Sequence, residues 1–368
     1  MIEYLILGEM IMKIAVTHPQ EYKEKTESSK LGFGKIFTDH MFIMDYSTEE
    51  GWHDARIVPY GNISLSPAST TLHYGTEIFE GLKAYRTADG SVQLFRPYEN
   101  AARFARSADR LCLPKVNEDD FVEAIRTLVD LDRDWVPSDP DTSLYIRPFL
   151  FGNDNTLGVH AVHNATFIVI LSPVGSYYAE GLDPVKIMIE DQDVRAVRGG
   201  TGEAKCGGNY AASNRAGDRA EKKGYSQVLW LDGVERKYVE EVGSMNVMFK
   251  IAGKVVTPKL TGSILPGITR KSICELLRYE GTPVEERLIS VDELEEAMEN
   301  GTLEEAWGCG TAAVVSPIGE FMYKDKVFTV NNGKIGTVTQ HLYDTLTDIQ
   351  WGRTEDPFGW TKIGRAHV

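Results

Sequence analysis

The sequence predicts an α+β protein built as two domains. Three observations carry that reading. Several apolar runs are joined by short turns containing Gly or Asp, so they read as hairpins. Helical periods fall in stretches of their own, which argues against a doubly wound parallel sheet. The length of 368 residues suits two cores of ordinary size, and the character of the chain changes at 172–181, where Pro173, Gly175 and two tyrosines interrupt it.

In chain order, Asn117 can cap a helix whose Phe121, Ile125, Leu128 and Val129 fall at helical spacing, with Pro137 beyond its end. Residues 167–171 are a continuous β-branched and apolar run, as in a buried strand. Past the junction, Val185, Ile187 and Ile189 alternate strictly, which predicts a half-buried strand. Residues 228–231, Asp232-Gly233 and 238–242 read as a hairpin; 247–251, Ala252-Gly253 and 254–256 read as another. Ser290 and Glu293 form a capping box before Val291, Leu294, Ala297 and Met298, and Gly301 ends that helix. Ile335, Val338, Leu342, Leu346 and Ile349 make a last amphipathic helix. The expected boundaries are a variable N-terminal segment 1–30, a small α+β domain 31–171, an interdomain loop 172–183 and a large domain 184–362. The tail 363–368 reads as a translated sequencing adapter, not as native chain. Residues 1–12 lack the basic region and cleavage site of a signal peptide, and Met10 and Met12 offer alternative starts.

A net charge of -15, from 54 acidic against 39 basic residues, repels phosphate backbones and anionic lipid, so neither nucleic acid nor membrane is an expected partner. No apolar run approaches the roughly 18 residues that span a bilayer. Cys112, Cys206, Cys274 and Cys309 form no C-x-x-C pair, the pattern of reduced thiols in a cytoplasmic protein. His160 and His163 are too few for a metal site and read as loop residues; no metal is expected.

The stretch 199–210, GGTGEAKCGGNY, sets Lys205 among five glycines, where backbone can approach a ligand closely. Its spacing fits neither a dinucleotide fingerprint nor a Walker loop. Such a lysine is either solvated or catalytic, and the loop alone leaves both open. Gly267-Ile268-Thr269-Arg270 opens a helix with Ile273, Leu276 and Leu277; its free N–H groups, hydroxyl and positive dipole end suit a phosphate, although an ordinary N-cap gives the same pattern. Gly308-Cys309-Gly310-Thr311-Ala312 is a second small-residue turn with a hydroxyl. Glu241 closes a strand, where acids are usually solvated. Arg147 stands among apolar neighbours in Tyr145-Ile146-Arg147-Pro148-Phe149, where an arginine usually pairs with a carboxylate of protein or ligand.

Taken together, these segments resemble branched-chain amino acid aminotransferases, which are fold type IV pyridoxal-phosphate enzymes. The resemblance runs from Leu31 to Trp360. It is carried by Phe33-Gly34-Lys35, Leu72-His73-Tyr74, Phe79-Glu80-Gly81-Leu82-Lys83-Ala84-Tyr85 and Leu94-Phe95-Arg96-Pro97, then by GGTGEAKCGGNY, EVGSMN (241–246), ILPGITR (264–270) and GCGTAAVVSP (308–317). It implies a two-domain architecture with pyridoxal 5'-phosphate bound between the domains and held by Lys205 as a Schiff base. Arg103, Ile268, Thr269 and Thr311 would bind the phosphate, Glu241 the pyridine nitrogen and Tyr210 the phenolic oxygen. Phe33, Tyr74, Phe79, Tyr145, Arg147, Val159, Tyr177, Ser244 and Ala312 would line the substrate pocket, with Tyr74 and Val159 reaching in from the other subunit of a homodimer. The implied activity moves amino groups between Leu, Ile or Val and 2-oxoglutarate by a ping-pong route, in amino-acid biosynthesis. Ala313 and Ser316 stand where some members carry a redox C-x-x-C, so thiol switching is not expected. A D-amino-acid aminotransferase or a lyase on the same fold is the near alternative. A non-catalytic amino-acid-binding protein is the distant one.

Overall fold

The computed structural model describes residues 12–175 and 182–363. The expectations for the first eleven residues, for Tyr177 and for 364–368 lie outside the described residues.

The chain clusters into two units: 12–175 with 204–207 and 348–363, and 182–203 with 208–347. Two stretches that the sequence reading puts in the second domain, 204–207 and 348–362, thus cluster with the first. In order, the first unit holds β1 (Ala15–Val16), β2 (His40–Ser47), β3 (Gly51–Pro59), α1 (Thr70–Tyr74), β4 (Glu77–Phe79), β5 (Leu82–Arg86), β6 (Val92–Phe95), α2 (Pro97–Arg110), α3 (Glu118–Leu131), β7 (Ser143–Gly152) and β8 (Asn164–Val174). There follow β9 (Val185–Glu190), α4 (Gly207–Ala211), α5 (Asn214–Lys222), β10 (Gln227–Leu231), β11 (Val239–Val242), β12 (Met245–Ile251), β13 (Lys254–Pro258), α6 (Ile268–Tyr279), β14 (Val284–Arg287), α7 (Val291–Glu299), β15 (Leu303–Gly310), β16 (Val314–Tyr323), β17 (Lys326–Thr329), α8 (Thr337–Gln350) and β18 (Thr361–Ile363).

The first sheet runs β1-β3-β2-β8-β7-β5-β6-β18, with β4 also paired to β7. Leu144, Ile146 and Leu150 of β7 face a core shared with Phe104 of α2 and with Phe121, Ile125 and Leu128 of α3. Asn117 caps α3 as predicted, its side chain accepting from Asp119 N–H at 2.8 Å. Alternate residues of β7 put Tyr145 and Arg147 on the opposite face. β18 pairs antiparallel with β6 and includes Ile363, the first residue of the expected non-native tail.

The second sheet runs β11-β10-β9-β16-β15-β12-β13-β14, and β11 also pairs with β12. That extra ladder closes six strands into a ring around Ile187, Ile189, Leu229, Val247, Phe249 and Phe321. Both expected hairpins form as antiparallel pairs. The first turn is wider than Asp232-Gly233: the Asp232 carboxylate gathers the N–H groups of Val234, Glu235, Lys237 and Tyr238. The half-buried strand expected at Val185 differs, because Met188 on its outer face packs under Ala216 and Ala220 of α5. The capping box forms on one side. Ser290 Oγ accepts from Glu293 N–H at 3.0 Å, but the Glu293 carboxylate turns to the Arg287 guanidinium, a stronger donor than a backbone amide. No helix among the described residues is long and apolar enough to cross a membrane.

Candidate active site

In the first unit, Lys205 is fixed through its backbone. Its N–H donates to Ser107 Oγ at 3.0 Å, and its carbonyl accepts from Phe79 N–H at 2.9 Å. Nζ stands 4.7 Å from the Phe79 ring centre. Burial pushes the amine down to about 8 from an ordinary 10.5; Arg103 adds to the effect and Arg147 adds less, while Glu80 and Tyr145 oppose it. Roughly a tenth of such an amine is neutral at pH 7, against well under a thousandth of an ordinary lysine.

Helix α2 supplies the floor. Pro97 starts it, and Ala101, Phe104 and Ala108 put one stripe into the core. Asn100, Arg103 and Ser107 form a second buried stripe at helical spacing, which meets Glu80 and Lys205. Arg103 engages Glu80 bidentately, Nε to Oε1 at 2.7 Å and Nη2 to Oε2 at 2.9 Å.

Above it, Arg147 Nη2 donates to Tyr145 Oη at 3.1 Å. The guanidinium lies 4.8 Å from the Phe79 ring centre and 5.3 Å from that of Tyr145, and Phe33 meets Tyr145 edge-on. Arg147 Nε is buried without a hydrogen-bond partner, an unmet donor that a ligand carboxylate would satisfy. Gly81 makes room for this group, since a Cβ there would sit 2.1 Å from Tyr145 Oη.

In the second unit, Glu241 is buried on β11. Oε1 accepts from Leu265 N–H at 2.7 Å and Oε2 lies 3.2 Å from Arg195 Nε. Helix α6 begins at Ile268 and Thr269 with no side chain capping its first turn, so its N-terminal amides and dipole are not spent on a cap. A Cβ at Gly267 would run into Asn246 Oδ1, so a side chain there would have to push Asn246 aside. Thr311 and Ala312 form the tight turn between β15 and β16, Ser244 is exposed in the turn between β11 and β12, and Tyr210 lies on α4.

The structure thus groups Phe33, Phe79, Arg103, Tyr145, Arg147 and Lys205 within the first unit, and places Tyr210, Glu241, Ser244, Ile268, Thr269, Thr311 and Ala312 in the second. Tyr74 and Val159 are exposed, and the Tyr74 hydroxyl donates to the Leu157 carbonyl. His160 and His163 gain a third neighbour: ligand atoms of Asp154 and both imidazoles lie within 4.8 Å of one another. The Asp154 carboxylate is already engaged by His163 N–H and by the Asn164 N–H and amide, which makes it a brace for this loop. Sequence reasoning missed Glu80 and Arg195. The 100/103/107 spacing was a usable signal for Glu80, since buried polar groups on a helix face need a partner. Arg195, with nothing regular about its neighbours, gave none.

Residues 77–321 match the family described as amino-transferase class IV, and the chain belongs to that family. Within it, the chain is 54% identical over 339 residues to branched-chain-amino-acid aminotransferase 2 of Bacillus subtilis strain 168, covering 92% of this chain and 93% of the relative. It is also 54% identical over 355 residues to the probable branched-chain-amino-acid aminotransferase of Staphylococcus aureus strain MRSA252, covering 96% and 99%. Among solved structures it is similar to the branched-chain amino acid aminotransferase of Escherichia coli, with a TM-score of 0.74, 28% identity and coverage of 88% of this chain and 98% of that one. The branched-chain amino acid aminotransferase of T.th., complexed with N-(5'-phosphopyridoxyl)-L-glutamate, matches with a TM-score of 0.72 at 27% identity, covering 90% and 98%.

Proposed function

We propose that this protein is a branched-chain-amino-acid aminotransferase that moves the amino group of Leu, Ile or Val to 2-oxoglutarate through pyridoxal phosphate. The observation that carries the reading is Lys205, a desolvated amine lowered to about 8 and bonded through its backbone on both sides. The other residues fit the same group. An uncapped helix start opened by a glycine closely packed on Asn246 suits a phosphate, and Glu241, buried against a backbone N–H and Arg195, suits a protonated ring nitrogen.

Pyridoxal phosphate, when bound, supplies a carbonyl that condenses with amines and a protonated ring that draws electrons from the substrate Cα. The chain does the rest. Ile268, Thr269 and Thr311 would hold the phosphate, as would Arg103; Glu241 would keep a proton at the ring nitrogen, and Tyr210 would donate to the phenolic oxygen. Lys205 would anchor the group through Nζ. With the group bound, the neutral Lys205 amine would take the proton from the substrate Cα and hand one back, which a lysine near 8 performs better than one near 10.5. Phe33, Phe79 and Tyr145 offer apolar walls to a branched side chain, and Arg147 offers charge to the γ-carboxylate of glutamate.

A homodimer in the cytoplasm follows from the same reading. The exposure of Tyr74 and Val159 in the single chain supports it, as does the set of unpaired cysteines. A D-amino-acid aminotransferase or a lyase is not favoured beside relatives at 54% identity. A non-catalytic binding protein would have no use for a desolvated lysine. The test is borohydride reduction of the loaded protein followed by peptide mapping, together with leucine-dependent glutamate formation. An adduct on another lysine, or no glutamate, refutes the proposal.

A further inference from the structure

Glu80 has no role in the reading above, yet its side chain is wholly buried. Besides the two Arg103 bonds, Oε2 accepts from Asn100 Nδ2 at 2.7 Å and from Gly81 N–H at 3.1 Å. Burial opposes its ionisation, but Arg103, Lys205 and Asn100 together outweigh that and hold the carboxyl below the usual range. A buried ion pair of this kind contributes little net stability compared with apolar packing. Glu80 follows Phe79, whose N–H donates to the Lys205 carbonyl at 2.9 Å, and it bonds the same helix whose Ser107 accepts from Lys205 N–H; that place calls for another explanation.

The charges around the Lys205 amine supply one. Arg103 from α2 and Arg147 from β7 both disfavour a third cation there, while Glu80, just after β4, and Tyr145 of β7 favour it. Arg103 gives its Nε–Nη2 edge to Glu80, which fixes the plane of the guanidinium.

We propose that Glu80 is a positioning residue of the active site: it locks Arg103 in one orientation toward an anion, and it is the counter-charge that lets two guanidiniums and an amine share one desolvated site. The anion is the cofactor phosphate, so this half rests on the function proposed above. The counter-charge half does not.

Two variants, Glu80→Gln and Glu80→Asp, test both halves. In the cofactor-free chain, the pH dependence of Lys205 reductive methylation by formaldehyde and borohydride is followed by peptide mass spectrometry. Removing a negative charge while both guanidiniums remain favours the neutral amine. The midpoint of E80Q should therefore fall about one pH unit below wild type, and that of E80D should stay close to it. A merely structural role predicts the reverse, since a loosened site admits water and lifts the midpoint toward 10.5. An unchanged or raised midpoint in E80Q overturns the counter-charge. In the second measurement, pyridoxal phosphate is titrated by absorbance. Both variants should bind it about tenfold more weakly or worse, because neither holds the two-pronged contact. Wild-type affinity in E80D overturns the orienting role. Should E80Q not fold, E80D decides alone: weaker binding at a wild-type midpoint supports the proposal, and unchanged binding refutes it. A wild-type chain that takes up no pyridoxal phosphate would instead sink the proposed function and leave the lysine comparison intact.

Discussion

Replacing Arg147 with methionine is expected to separate the two substrates of the reaction. Methionine keeps the length and apolar bulk of the stem and removes the charge. If Nε and its neighbours on the guanidinium receive the γ-carboxylate of glutamate, the variant loses a charged, two-pronged contact. Truncating one partner of such a desolvated pair costs roughly 2–5 kcal/mol, a factor of about 30 to several thousand. For leucine the structure shows a smaller loss: one bond at 3.1 Å to Tyr145 Oη, worth ~0.5–1.5 kcal/mol. Arg147 also helps to hold the Lys205 amine down. Its removal raises that amine's value and lowers the neutral fraction near pH 7, but it does so for both half-reactions, and their ratio is unaffected. The assay follows each half-reaction in a single turnover by cofactor absorbance. At mid-range values, about 2.5 kcal/mol apart, the glutamate half-reaction should slow roughly seventyfold more than the leucine half-reaction. Equal losses would mean that Arg147 supports the sheet face and that dual recognition resides elsewhere.

Three further outcomes are expected. Glu241→Gln should bind cofactor with near wild-type affinity yet slow both half-reactions about a hundredfold or more, read by stopped-flow absorbance, since the ring nitrogen loses its anionic partner; wild-type rates would make Glu241 a structural acid only. Gly267→Ala should force Asn246 aside, weakening phosphate binding about tenfold and costing ~1–3 kcal/mol of stability by urea unfolding; an unperturbed variant would show that the α6 start tolerates a side chain. Thiol oxidants at moderate dose should produce no disulfide at Cys309, because burial pushes its thiol far above the usual range and that of Cys274 up to about 11, and because positions 313 and 316 hold alanine and serine; a mapped disulfide that includes Cys309 would refute this.

Local signals carried much of the fold. A capping asparagine, a Gly-x-Thr start and two hairpins each depend on a few adjacent residues, and each formed where expected. Lys205 and the α6 turn were visible for the same reason, since glycines mark where backbone must come close. The missing parts are non-local. Nothing in 239–242 and 245–251 announces that their ladder would close six strands into a ring, because ring closure depends on the other four strands as well. Met188 reads as an outward residue until α5, some thirty positions later, covers it. Glu80 and Arg195 were hidden because an ion pair is decided by what faces it, and the facing residue is far along the chain. The half-formed capping box teaches a related point: a motif states which bonds are available, and a nearby guanidinium can outbid a backbone amide.

The pairing of β18 with β6 also bears on how the chain is made. The first unit is translated first, but its sheet keeps an open edge at β6 until residues 361–363 arrive. Lys205 likewise reaches its place beside Phe79 and Ser107 only after much of the second unit's leading segment has left the ribosome. The part begun earliest is therefore finished last. An exposed strand edge invites pairing with other chains, so a nascent or prematurely stopped product should be more prone to aggregation than its well-filled core suggests.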